Sequence, residues 1–364
     1  MKVTFNKGEI QDKLQDIQNI VDKKSTMPIL NHLLLDVGQD SAFIYATDLQ
    51  LAIKEPVSLT VERPGRLCIP AKKLLEIVRE LEGDLILDSE DEQWVKVTSG
   101  FSRFRVSCLP TSDFPAWPGI ETEDEVNIHS ADLIEMIERT IYSAGETDTR
   151  YVLNGLLFHI KPDGAINIVG TDGHRLALIT KQIGHTIPEE KRLIIPRKAA
   201  MEIGKVINGI DTITMRCGKN HVLFKIGDVD FITRLIEGTY PNYEQVIPVN
   251  DKVVRLNREG FLKTLRRVSI ISRERSNAVK MDLSEGLMII TSSDPDLGEA
   301  RDEIVADYTG ENITIGFNAR YIMDSLSVMT GDNVLFSFRD QVSPCLLTEE
   351  GREDYKCVIM PMRL

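Results

Sequence analysis

The most reactive-looking string in this chain of 364 residues is Thr171-Asp172-Gly173-His174-Arg175-Leu176-Ala177. A carboxylate orienting an imidazole as general base, beside a guanidinium that grips an anion, is a workable hydrolytic set. Asp172 and His174, however, are two residues apart with glycine between them, the spacing of a tight turn joining two strands. No serine, cysteine or second carboxylate follows at a telling distance. Cys68, Cys108, Cys217, Cys345 and Cys357 are odd in number and never at C-x-x-C spacing, and the six histidines form no short ligand pair. Neither a disulfide framework nor a metal centre is expected. Phosphate-cradling and nucleophile-elbow strings are missing as well. The expectation is a protein with no catalytic residue, no metal and no cofactor.

Charge narrows the class further. Lys plus Arg number 43 against 56 Asp plus Glu, a net charge of −13. Domains that hold nucleic acid by bulk attraction are usually basic, so only a local basic surface is compatible with such a role. With 42% hydrophobic and 27% charged residues the chain reads as a globular protein. Its length suggests two or three domains at about 150 residues each. No apolar run approaches the ~18 residues of a membrane span, and Met1-Lys2-Val3-Thr4-Phe5 opens directly into strand-like alternation. A cytoplasmic protein without a signal peptide, making no membrane contact, is expected.

The elements that would position these residues recur three times. Thr47-Asp48-Leu49, Thr171-Asp172-Gly173 and Ser293-Asp294-Pro295 each follow a β-rich run, 124 and 122 residues apart. Ile69-Pro70-Ala71-Lys72, Ile195-Pro196-Arg197-Lys198 and Phe317-Asn318-Ala319-Arg320 follow, each opening a helical pattern. Strand-like runs over 104–109, 231–236 and 355–360 close the three units. Each unit also begins with apolar residues at helical spacing, over 9–21, 130–143 and 258–271, with Ser130 and Asn257 as N-caps. Strands are expected over 33–37, 155–160, 287–290 and 334–338. The acidic run at 122–125 and Pro248-Val249-Asn250-Asp251 read as linkers.

Positive charge gathers on the predicted helices: Lys72, Lys73 and Arg79; Arg197, Lys198 and Lys205; Arg258, Lys263, Arg266, Arg267, Arg273 and Arg275. Residues seven apart share a helix face, and recurrence would collect these faces on one surface suited to sequence-independent phosphate contact. The apolar ending Val358 to Leu364 reads as a last strand, and its methionines and proline suit an adaptable groove for partner peptides.

Several strings together resemble one family. Arg150-Tyr151-Val152-Leu153-Asn154-Gly155, the Thr171–Ala177 string, Ile195-Pro196-Arg197-Lys198 and Met360-Pro361-Met362-Arg363-Leu364 are similar to those of the bacterial DNA sliding clamps, the beta subunits of DNA polymerase III. Met27-Pro28-Ile29-Leu30 and Ile315-Gly316-Phe317-Asn318 fit as well, and the likeness runs from Met1 to Leu364. It implies an α+β fold of three tandem clamp domains, 1–122, 123–250 and 251–364, each with two helices packed on antiparallel sheets. Two chains would join head to tail into a ring around double-stranded DNA, through Phe104 and Val106 of one chain and Ile270 and Ile271 of the other. Lys24, Arg150, Tyr151, Arg197 and Lys198 would face DNA.

The resemblance also implies a pocket between domains 2 and 3 for short peptides of DNA polymerase III alpha, clamp-loader subunits, other polymerases and repair proteins. Its residues would be Leu153, Gly155, Thr171, Gly173, His174, Arg175, Leu176, Pro241, Val246, Asn318, Tyr321, Val342, Val358, Met360, Pro361, Met362 and Arg363. The chain departs from common family residues at Val152, where relatives often carry tyrosine, at Gln245, and at Lys24-Ser25. Two other readings are carried beside the clamp: an enzyme acting on nucleotides or sugars through Asp172, His174 and Arg175, and a tandem-repeat scaffold without nucleic acid.

Overall fold

The computed structural model describes residues 1–21, 26–119, 122–184, 186–207, 209–272 and 277–363, without the side chains of 122 and 123. Lys24, Arg273, Arg275 and Leu364 lie outside the described residues.

Among the described residues there are six α-helices, in three pairs. The first of each pair are α1 (Lys7–Ile17), α3 (Ser130–Glu138) and α5 (Arg258–Val268); the second are α2 (Ala71–Glu80), α4 (Arg197–Val206) and α6 (Ala319–Val328). All begin within two residues of their expected starts because local chemistry ends the preceding strand there. Asn6, Asn257 and Asn318 turn their carboxamides back to accept from the backbone N–H groups of Gly8, Gly260 and Arg320 at 2.9–3.0 Å. Pro70 and Pro196 occupy the position of Asn318 in the other two units. The opening helices are shorter than their periodicity suggests. After Glu138 the chain tightens into a short 3-10 turn over Ile141–Ser143.

Sheets are antiparallel throughout. The described residues pack as two compact units, one of Met1–Ser130 with Met201–Leu235, the other of Ala131–Ala200 with Ile236–Leu364. In the first, strand Leu51–Pro56 hydrogen-bonds to Val229–Arg234, so an eight-stranded sheet is built from two sequence repeats. In the second, Arg175–Gln182 pairs with Tyr355–Ile359 in the same manner. Each unit also carries a smaller sheet, of five strands in the first and four in the second. The run expected as a linker at 122–125 is instead the start of an edge strand, Thr122–His129, paired with Thr212–Gly218. Its charges are tolerated because an edge strand turns one face to water, where Glu125 meets Arg216 at 2.8 Å. Pro248–Asp251 does form a loop.

Two of the three Asp-containing loops match hydrogen bond for hydrogen bond. Asp172 Oδ1 accepts from the N–H groups of His174 and Arg175 (2.9 and 3.0 Å), while Thr171 Oγ1 donates to Arg175 O and accepts from Gly173 N. Asp48 and Thr47 make the same four bonds to Gln50, Leu51 and Leu49. The residue after the aspartate is left-handed in both, Gly173 at φ 83° and Leu49 at φ 75°. All five cysteines are buried and none is in a disulfide. Burial pushes the Cys68, Cys108 and Cys345 thiols up to about 12. No helix among the described residues is long and apolar enough to cross a membrane.

Candidate functional site

In the second unit, strands 165–171 and 175–182 present their connecting loop beside α6 and the end of the chain. Met360 N donates to His174 O at 2.9 Å and Met362 N to Gly316 O at 2.8 Å. These two bonds lay the C-terminal segment between the loop and the strand Ile313–Asn318. Leu176 and Val358 are cross-strand partners in one buried apolar cluster with Leu157, Val169, Leu178, Ile194, Tyr240 and Tyr243. Val152, Ile236, Ile247 and Leu346 pack against that cluster half-exposed. Beside it Thr314, Gly316, Gln341, Val342, Pro361, Met362 and Arg363 line a cavity of about 570 Å³. Val246, Val342 and Met360 are exposed apolar side chains. An apolar floor with half-open aliphatic walls and backbone polar groups at the margin is suited to anchoring peptide side chains.

Arg175 is the fastening of this cleft. Its Nε meets Asp172 Oδ2 at 3.0 Å, Nη1 meets Asp324 Oδ2 at 2.6 Å, and Nη2 donates to Tyr142 O at 2.6 Å. The guanidinium also stacks over Tyr321, 4.6 Å from the ring centroid. With every edge engaged it is not offered to an anion. Asp172 is equally occupied by two backbone N–H groups and Arg175, so it does not orient His174. The exposed His174 ring instead lies against Tyr321, 6.3 Å between centroids and 18° between planes. The string that looked catalytic is a structural turn.

The other expected pocket residues divide. Thr171, Gly173, His174, Leu176, Tyr321, Val358 and Met360 to Arg363 come together around the loop and chain end. Leu153 is buried, and Asn318 spends its carboxamide as a helix cap. Gly155 is buried in its strand, where an added Cβ would stand 2.5 Å from Ile195 O; its role is close strand packing. Pro241 and Val246 are exposed on the segment that also carries Tyr240 and Tyr243. Sequence reasoning missed Leu157, Val169, Tyr240, Tyr243, Ile247 and Leu346. The aromatic-Pro-x-aromatic string Tyr240-Pro241-Asn242-Tyr243 was the available signal. Tyr243 is buried because His159 Nδ1 and Asn167 Nδ2 satisfy its hydroxyl at 2.6 and 2.7 Å.

The expected DNA-facing residues are mostly engaged already. Arg150 forks onto Asp148 at 3.0 and 2.7 Å, and that guanidinium holds the Asp148 carboxyl down at about 2. Arg197 donates to the carbonyls of Ile141 and Ala144. Lys198 and Tyr151 are exposed, Tyr151 by 76%. On the helices, Lys73, Lys205 and Lys263 pair with Glu76, Glu202 and Glu259 at 2.5–2.7 Å. At the expected dimer edge, Phe104 lies on the outer strand Ser102–Ser107 of the five-stranded sheet, half-exposed, while Val106 is largely covered. Ile270 is 75% exposed just after α5, and Ile271 is half-buried.

Repeated units of two helices and antiparallel sheets, with an apolar cluster beside the end of the chain, make up a clamp-type fold. The chain belongs to the DNA polymerase III beta subunit family, the bacterial beta sliding clamps. Residues 1–118 match that subunit's N-terminal domain, 127–242 its central domain and 244–363 its C-terminal domain. The beta sliding clamps of Pseudomonas putida and Escherichia coli K12 are each 33% identical to it, over 371 and 368 residues, with both chains covered completely. The structure of the Bartonella birtlesii sliding clamp bound to griselimycin superposes with a TM-score of 0.96 at 33% identity, again over all of both chains.

Proposed function

We propose that two copies of this chain close head to tail into a ring of six clamp domains, bounded near 122 and 250, that encircles duplex DNA. The ring tethers the polymerase III alpha subunit, the clamp loader and other polymerases and repair proteins by their short peptides, in the bacterial cytoplasm. The cleft formed by the Thr171–Leu176 loop, Tyr321 and Met360 to Arg363 receives those peptides. The observation that carries this reading is the pair of backbone bonds, from Met360 to His174 and from Met362 to Gly316, that pin the chain end open beside an apolar floor.

Retention follows from topology, which fits an acidic protein. Many lysines on the candidate inner helices already hold a glutamate one turn away, so their contact with phosphate is weak and exchangeable, as sliding requires. Lys24, Arg150, Tyr151, Arg197 and Lys198 are the DNA-facing residues in this reading, Arg150 held in place by Asp148 and Arg197 by the carbonyls of Ile141 and Ala144. Unpaired edge strands need cover, and the strand carrying Phe104 and Val106 finds it at Ile270 and Ile271 of the second copy.

The test is retention on DNA of different topology. Loaded onto a nicked plasmid, the clamp stays; after the plasmid is linearised it runs off the ends. Equal retention on both would end the encirclement reading.

A further inference from the structure

The first unit holds a second cleft built by the same bonds. Arg234 N donates to Gln50 O at 2.8 Å, as Met360 N does to His174 O in the second unit. Leu109 N donates to Cys68 O, as Ile236 N does to Ile194 O. Ala52 faces Ile232 across the strand pair, as Leu176 faces Val358. Even the aromatic-Pro-x-aromatic string recurs, as Phe114-Pro115-Ala116-Trp117.

The two copies differ in what fills them. Tyr240 and Tyr243 are buried in the second unit, whereas Phe114 and Trp117 are only half-buried. Leu176 is replaced by the smaller Ala52. The space left open is a cavity of about 350 Å³ walled by Leu34, Tyr45, Ala52, Phe114, Pro115 and Trp117. Tyr45 and Trp117 meet edge to face, 5.7 Å between centroids. That volume admits one large side chain with its flanking backbone.

The rim has a charge pattern too. Lys54 stands opposite Tyr45, where Leu178 stands opposite Val169 in the second unit. Its Nζ lies 4.2 Å from the Phe43 ring centroid and 5.9 Å from that of Tyr45. The neighbouring carboxylates are already drawn elsewhere, Asp230 toward Lys225 at 3.6 Å and Asp36 toward Arg66 at 3.3 Å. Among the residues that line the cavity Asp36 and Arg66 offset each other, so the cation left beside Tyr45 is Lys54.

We infer that this cavity is a second peptide site, taking an aromatic side chain of a partner segment against the Tyr45–Trp117 pair, with a neighbouring carboxylate held by Lys54. The inference rests on reading the C-terminal cleft as a peptide site, whose construction it copies. An edge-to-face pair leaves ring surface for a third ring, and a half-desolvated ammonium favours an acidic neighbour over a neutral one.

The experiment uses the full-length clamp. Trp94 and Trp117 are its two tryptophans, so Trp94→Phe makes Trp117 the sole indole reporter. Acetyl-Asp-Phe-amide is titrated in while Trp117 emission and the ¹³C-methyl signals of Met360 and Met362 are read together. The expected result is a saturable Trp117 response, weakened about fivefold or more by Lys54→Glu and absent with acetyl-Ala-Ala-amide. Methionine shifts without any Trp117 response up to about 5 mM would overturn the inference and leave the C-terminal cleft standing. A Trp117 response without methionine shifts would support the inference and count against the C-terminal cleft for this ligand. A response unchanged by Lys54→Glu would overturn the charge pairing.

Discussion

Arg175 and Asp324 meet at 2.6 Å, joining the turn that borders the peptide cleft to helix α6. Burial works against the charged arginine, yet Asp324 and Asp172 more than compensate and its pKa rises. The pair therefore holds the cleft wall at the position that Tyr321 and the chain end require.

Replacing Arg175 with alanine is expected to cost about 2–3 kcal/mol of stability, because two carboxylates and the Tyr142 carbonyl lose a partner at once. Lysine does not rescue it, since one ammonium cannot serve three directions. Denaturant unfolding measures the loss, and peptide affinity falls with it.

Gly173→Ala tests the left-handed turn. Leu49 holds a similar φ in the first unit with its side chain in open solvent, so the conformation alone is tolerable. At Gly173 an added Cβ stands 2.7 Å from Arg150 Nη1. The expected cost is about 1–2 kcal/mol, part of it regained in the Gly173→Ala, Arg150→Ala double variant. Equal losses in both would show that Arg150 is not the obstacle.

Glu55 sets a pH dependence. Burial lifts its carboxyl to about 7, against the pull of Lys13 at 2.6 Å, and its Oε2 has no hydrogen-bond partner. The folded value lies above the unfolded one, so this group's contribution is complete below about 4.5 and is lost as pH climbs through about 7. Glu55→Gln should gain stability relative to the parent between pH 5 and 8, by an amount on the order of 2–3 kcal/mol. Parallel pH–stability curves for the two proteins would refute this.

The ring edge is tested by charge. Ile270→Glu should raise the dimer dissociation constant about tenfold or more while leaving monomer unfolding unchanged, because that side chain is 75% exposed in a single chain. Sedimentation velocity across a dilution series reads the shift.

Much of this was legible in the chain itself. Helix starts at Ala71, Arg197 and Ala319 were visible because proline and asparagine punctuate locally. The matching Asp loops showed as a recurrence about 123 residues long. Strand partners were not legible: the run over 231–236 reads as a strand, but nothing in it shows that its neighbour is 51–56. The destinations of Arg175 and Arg197 were hidden for a related reason. A long guanidinium on a loop or helix reads as a surface charge until the fold brings carbonyls and carboxylates around it. Asp124 and Glu125 misled because acidity suggests a linker, while an edge strand tolerates it equally well.

The sheet shared between Leu51–Pro56 and Val229–Arg234 has a consequence for biosynthesis. The earlier strand is synthesised roughly 180 residues before its mate, a delay of about 9–36 s at ordinary elongation rates. Throughout that interval the edge of Leu51–Pro56 that Val229–Arg234 will cover has no native partner, which makes it the segment most open to mispairing during synthesis.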